Sequence, residues 1–126
     1  MMKVKTSELI GIALDWAVAK CEGWPIEIDR GVSTGRTLIT LTRQRHEECR
    51  PSTDWAQAGP IIEHEEIGIK RRAPCFPQEQ WEASGSITAK GAGYWFAVGP
   101  TPLITAMRCY VASKLGDKVD IPEELT

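Results

Sequence analysis

The sequence predicts an α+β fold, a single compact domain over residues 1–126 with N- and C-terminal helices packed on a mostly antiparallel sheet. Three observations carry this expectation. Apolar residues recur at helical spacing near both ends of the chain, and the middle holds short segments rich in Thr, Ile and Trp. Nowhere does strand alternate with helix in the rhythm of a parallel βαβ sheet. At 126 residues, 42% of them hydrophobic, the chain can fill one core without disulfides.

The first helix is expected over residues 6–22. Leu9, Ile10, Ala13, Leu14, Ala17 and Cys21 fall on one face, with Thr6 or Ser7 as N-cap and Gly23 at the left-handed stop. Trp24-Pro25 then forbids continuation. The last helix is expected over 102–115: Thr101 caps, Pro102 suits the first turn, and Gly116 ends it. Its apolar stripe is Leu103, Ile104, Met107, Tyr110, Val111 and Leu115. Beyond it, Asp117–Thr126 reads as a polar, extended tail.

Between the helices, residues 36–42 carry the Thr, Leu and Ile of a strand. Residues 61–69 read as strand-like, with four isoleucines around an acidic patch. Ser86–Ala89 and Gly93–Val98 form the expected arms of a hairpin turning at Lys90-Gly91-Ala92, and Trp81-Glu82-Ala83 adds a short strand. Segments 43–60 and 70–80, rich in Pro and charge, take no assignment.

Charge and composition exclude several functions. Fifteen basic against seventeen acidic residues leave a net charge of −2, shared between the two halves of the chain. A duplex-DNA binder needs a basic surplus to neutralise phosphates, so duplex DNA is not an expected partner. No apolar run reaches the roughly 20 residues of a membrane span, and no signal-like leader precedes the first helix. An intracellular, non-membrane protein is expected. Cys21, Cys49, Cys75 and Cys109 lie too far apart for a short-spaced zinc site, so free thiols and no metal or cofactor are expected.

The opening Met2-Lys3-Val4-Lys5-Thr6-Ser7-Glu8-Leu9, the helix segment Ala13-Leu14-Asp15-Trp16-Ala17-Val18-Ala19, the stretch Pro51–Glu63, and Thr101-Pro102-Leu103 through Lys114-Leu115-Gly116-Asp117 together resemble the NinX-like family of small tailed-phage and prophage proteins. These segments cover about half of the chain. The resemblance implies a phage accessory protein acting in the host cytoplasm. It brings no activity with it. A homo-oligomer is compatible with a protein of this size in that setting.

Pro51–Pro60 is the most unusual stretch. Ser52, Thr53, Asp54 and Gln57 surround Trp55 in a loop closed by Gly59-Pro60, and scaffolded loops concentrate binding residues. The competing reading makes Ser52 or Asp54 a local cap and Trp55 a core plug. Arg108, at the edge of the last helix's stripe, can offer a planar fork to an anion or can snorkel to a surface acid. Arg36, with Arg43, Arg45 and Arg50, and Lys70-Arg71-Arg72 supply further cations. Five tryptophans, Trp95 among them, supply stacking faces.

His46-Glu47-Glu48 and His64-Glu65-Glu66 are the histidine sites. They lack ligand spacing, so solvated charge is the stronger reading and a nucleotide-acting enzyme the weaker one. No nucleophile motif or phosphate-binding glycine loop occurs. The expected function is therefore non-catalytic: sequestration of a small anionic, nucleotide-derived host signal, such as a cyclic nucleotide, to counter host defence. Ser52, Thr53, Asp54, Trp55, Gln57, Arg108, Arg36 and Trp95 are its candidate ligand-binding residues. The alternative is a protein–protein interaction module that inhibits or redirects a host protein. A polar-lined cleft beside Trp55 favours the first, and a flat exposed aromatic patch the second.

Overall fold

The computed structural model describes residues 1–29, 36–41, 47–85 and 95–126. The chain begins with strand β1 (Met2–Lys5), a 3-10 turn at Thr6–Glu8 and helix α1 (Gly11–Glu22). The helix expected over 6–22 is thus split, because Thr6 is spent elsewhere. Its hydroxyl donates to the Gly116 carbonyl at 2.6 Å and its amide to the Asp117 carbonyl at 2.8 Å. Ile10 is left at the cap position of α1 without a side-chain bond to the first amides. The other end follows expectation: Gly23 takes a left-handed φ of 70° and its amide closes on the Ala19 and Lys20 carbonyls.

Strands β2 (Ile26–Asp29), β3 (Leu38–Leu41) and β4 (Glu47–Glu48) form one antiparallel sheet in that order. Helix α2 (Trp55–His64) follows. Then β5 (Ile67–Arg71), β6 (Trp81–Gly85) and β7 (Trp95–Gly99) make a second antiparallel sheet, with Ala83 opposite both Ile69 and Ala97. Helix α3 (Pro102–Leu115), strand β8 (Lys118–Ile121) and a 3-10 turn at Glu123–Leu125 complete the chain. All pairing among the described residues is antiparallel, so the expected α+β class holds.

Three local expectations are corrected. The 51–60 loop and the strand from 61 are instead a turn and a helix, α2. Asp54 caps it, its carboxylate accepting the Ala56 amide at 2.9 Å. Pro60 falls six residues into the helix, where its missing N–H forfeits a bond to Ala56, and burial of Ala58 and Ile61 offsets that loss. The tail from Asp117 is not polar cover. Lys118–Ile121 alternates out and in, Val119 and Ile121 are buried, and β8 pairs with β1 in a register that sets Val4 opposite Val119. The hairpin arms pair as β6 and β7, displaced toward Trp81, while the expected arm 86–89 and turn 90–92 lie outside the described residues.

Helix α3 occupies the exact span expected, with the Thr101 hydroxyl accepting the Ile104 amide at 3.2 Å. Its environment differs. Every residue from Leu103 to Val111 is buried, so the helix lies inside the domain rather than showing one stripe to it, and Leu115 is exposed. It packs on β5–β7 and on α1, whose residues Ala13–Ala19 are also all buried. Gly99 permits the close approach of β7: a β-carbon there would stand 2.6 Å from the Thr105 hydroxyl. Apolar surface buried at this two-helix centre stabilises the fold by about 25 cal/mol per Å².

Candidate functional site

The turn between β4 and α2 is built by its polar residues. The Ser52 amide donates to Asp15 Oδ1 at 2.7 Å, fixing the turn to α1, and both groups are buried. The Thr53 and Asp54 amides donate to the Arg50 carbonyl at 3.0 and 2.9 Å. Gln57 accepts from the Arg50 amide at 2.8 Å and donates to the Glu48 carbonyl at 2.8 Å and to Glu47 Oε1 at 3.3 Å. Ser52, Asp54 and Gln57 therefore act as the turn's own scaffold. Trp55 does not plug the core: on the first turn of α2 it is 57% exposed.

Ala56 and Gln57, the residues after Trp55, help to line an open cleft of about 540 Å³. One wall comes from the end of α1 and the residues after it, with Glu22, Trp24 and Pro25. The other comes from Leu41 and Glu47 on the β3–β4 sheet and from Ala56, Gln57, Pro60 and Ile61 on α2. The Tyr110 hydroxyl donates to Glu22 Oε2 at 2.5 Å, which aims that carboxylate, and burial together with Glu22 pushes the phenol well above its ordinary range. Among the described lining residues the charged ones are both acidic.

Arg108 is placed differently from expectation. Its guanidinium is buried, donating through Nε to the Leu9 carbonyl at 2.7 Å and through NH1 to the Val98 carbonyl at 3.0 Å. Because α3 is enclosed, the edge of its stripe is interior, and the fork ties α3 to β7 and to the segment before α1. Desolvation lowers its pKa, opposed by the charge of Glu79. Trp95 is half-buried on β7, its carbonyl accepting from the Cys109 thiol at 3.6 Å. Arg36 is exposed just before β3. Of the eight candidate residues, Ser52, Thr53, Asp54, Trp55 and Gln57 are together on the turn and α2, Arg108 is tied to Leu9 and Val98, Trp95 meets Cys109, and Arg36 precedes β3.

His46 lies outside the described residues, and His64 is solvent-facing at 3.3 Å from Glu65. Among the described residues no three His, Cys, Asp or Glu side chains are grouped to hold a metal ion. No helix among them is long and apolar enough to cross a membrane. All four cysteines are thiols, and burial pushes Cys21 and Cys109 to about 11 and Cys49 to about 12, far from nucleophilic range.

The family model described as bacteriophage P22 NinX matches residues 5–114. The chain belongs to the NinX family. Among curated proteins no match is found. The match runs from β1 to the last turn of α3, so the Ser52 turn, α2 and both cleft walls all lie within the NinX span.

Sequence reasoning passed over Asp15, Glu22 and Trp24 as site residues in this NinX-family chain, and it read Glu47 as solvated charge beside His46. Asp15 did leave a signal, a lone carboxylate inside the apolar run from Ala13 to Ala19. Burial raises it from the ordinary 3.8 to about 6, against the lowering effect of Ser52, with Glu48 adding a smaller upward push. Trp24 was read only as a helix stop. Nothing in sequence brings Glu22 and Glu47 to one cleft.

Proposed function

We propose that this phage NinX-family protein acts in the infected host by binding, without catalysis, and that its target is a host protein engaged through Trp55 and the adjoining cleft. One observation carries the reading: a tryptophan 57% exposed on a helix whose start is fixed by the Asp54 cap and the Ser52–Asp15 bond. Rigid, exposed aromatics are the residues that anchor protein interfaces, since little ordering cost attends their burial. The cleft is open, whereas small-molecule sites enclose roughly 70–90% of their ligand.

Sequestration of a small anionic nucleotide derivative is the second reading, favoured by a cleft volume within the usual range for such sites. It lacks its expected anion fork, because Arg108 is committed to two backbone carbonyls. A photoreactive amino acid at position 55, expressed in the infected host, separates the two. The interaction reading expects a discrete protein adduct, absent when the probe replaces the exposed Glu123. A nucleotide-mass adduct, or none at position 55, overturns it.

A further inference from the structure

The two carboxylates of the cleft come from separate elements, Glu22 from the end of α1 and Glu47 from β4, and each is held by a neutral donor. Tyr110 binds one oxygen of Glu22, and Gln57 binds one oxygen of Glu47. Gln57 is itself held by the Arg50 amide and the Glu48 carbonyl, which orients its amide toward Glu47. Among the described residues, the second oxygen of each carboxylate has no hydrogen-bond partner. Among the described residues, two nearby cations are paired elsewhere: Lys114 with Glu65 at 2.8 Å and Arg50 with Asp54 at 3.9 Å. Among the described residues no cation pairs with Glu22 or Glu47. Trp24 and Leu41 give the cleft apolar lining, and the exposed Trp55 directly precedes the lining residue Ala56 at the start of α2.

We infer that the cleft receives an extended basic segment of the partner protein, one Arg or Lys side chain seated between Glu22 and Glu47 and its apolar neighbours lying on Trp24, Leu41 and Trp55. This rests on the binding reading above and specifies its partner. An anionic guest would meet two like charges, an arrangement that disfavours wrong partners strongly. A guanidinium meets carboxylates through charge-assisted, directional bonds instead. A small free cation would use the two carboxylates and leave the apolar wall and Trp55 in water. A peptide segment uses all of them.

The test is a random nonapeptide library displayed on yeast, sorted against the wild type and against folded Trp55→Ala, Glu47→Lys and Glu22→Gln/Glu47→Gln variants, with affinities of the selected peptides measured by fluorescence anisotropy. The expected result is enrichment of peptides with Arg or Lys between apolar residues. Their binding should weaken at least about tenfold in the double carboxamide variant and with rising salt, and Glu47→Lys should shift selection toward acidic peptides. Enrichment without basic residues, or undiminished affinity in the double variant, overturns this inference while binding dependent on Trp55 leaves the broader reading standing. No enrichment over Trp55→Ala overturns both.

Discussion

Among the described residues two charged side chains are buried, Arg108 on α3 and Asp15 on α1, and they are treated differently. Arg108 gives its fork to two carbonyls from separate elements and joins α3, β7 and the Leu9 segment. Asp15 receives one backbone amide from Ser52 and keeps a pKa near 6. A guanidinium holds its charge when buried and serves as a fixed rivet. A buried carboxyl with one amide partner stays close to neutralisation. The α3 region is therefore scaffold, whereas the α1–α2 seam is held by a bond that titrates, and it carries the exposed Trp55.

The largest effect expected from breaking this contrast is on the scaffold side. Arg108→Ala leaves the Leu9 and Val98 carbonyls without their charged donor, and urea unfolding should register a loss of about 3–5 kcal/mol. Arg108→Lys should recover little, because one ammonium cannot serve two carbonyls in different directions. A variant as stable as wild type would show that the guanidinium is not the rivet. Next in size, Gly99→Ala drives a β-carbon to 2.6 Å from the Thr105 hydroxyl and 3.3 Å from Arg108, and should cost about 1–3 kcal/mol of overpacking. No change in the denaturation midpoint would mean that β7 and α3 are less closely engaged.

On the seam side the effect is smaller and has a defined sign. The folded Asp15 carboxyl sits above its ordinary value, so the folded state holds its proton more tightly. The resulting stabilisation is fully present below about 3.8 and is lost as pH rises through about 6. Stability should rise by about 1 kcal/mol on acidification from about pH 7 to pH 5, and Asp15→Asn should flatten that slope. A slope unchanged in Asp15→Asn assigns the titration elsewhere. Smallest of all, Trp55→Ala should alter unfolding free energy by no more than about 0.5 kcal/mol, as for other exposed positions. A loss of several kcal/mol would return Trp55 to the core.

The parts legible in sequence were those fixed by local chemistry. Thr101, Pro102 and Gly116 bound α3 because capping acts within one turn. Helix α2 was hidden because Gly59-Pro60 carries the local signature of a stop, while burial of Ala58 and Ile61 overrides it. Val119 and Ile121 alternate as a strand does, yet four residues after a glycine look like tail until β1 is seen to pair with them. The Ser52–Gln57 turn was found as a cluster, but its roles were reversed: the polar groups serve the backbone and the tryptophan faces solvent. Arg108 looked peripheral because a stripe implies one buried face, and α3 is enclosed on all sides. The cleft itself draws on α1, β3, β4 and α2, so only tertiary structure assembles it.

The central claim is that binding occurs at the Trp55 cleft and leaves the Arg108 region untouched. Fluorine NMR on protein labelled with 5-fluorotryptophan reads both regions at once, with resonances assigned by single Trp→Phe variants. On addition of a library-selected basic peptide, the Trp55 and Trp24 resonances should shift in proportion to occupancy, while Trp95, on the strand riveted by Arg108, should stay in place. A shift at Trp95 with Trp55 and Trp24 unmoved would contradict the account.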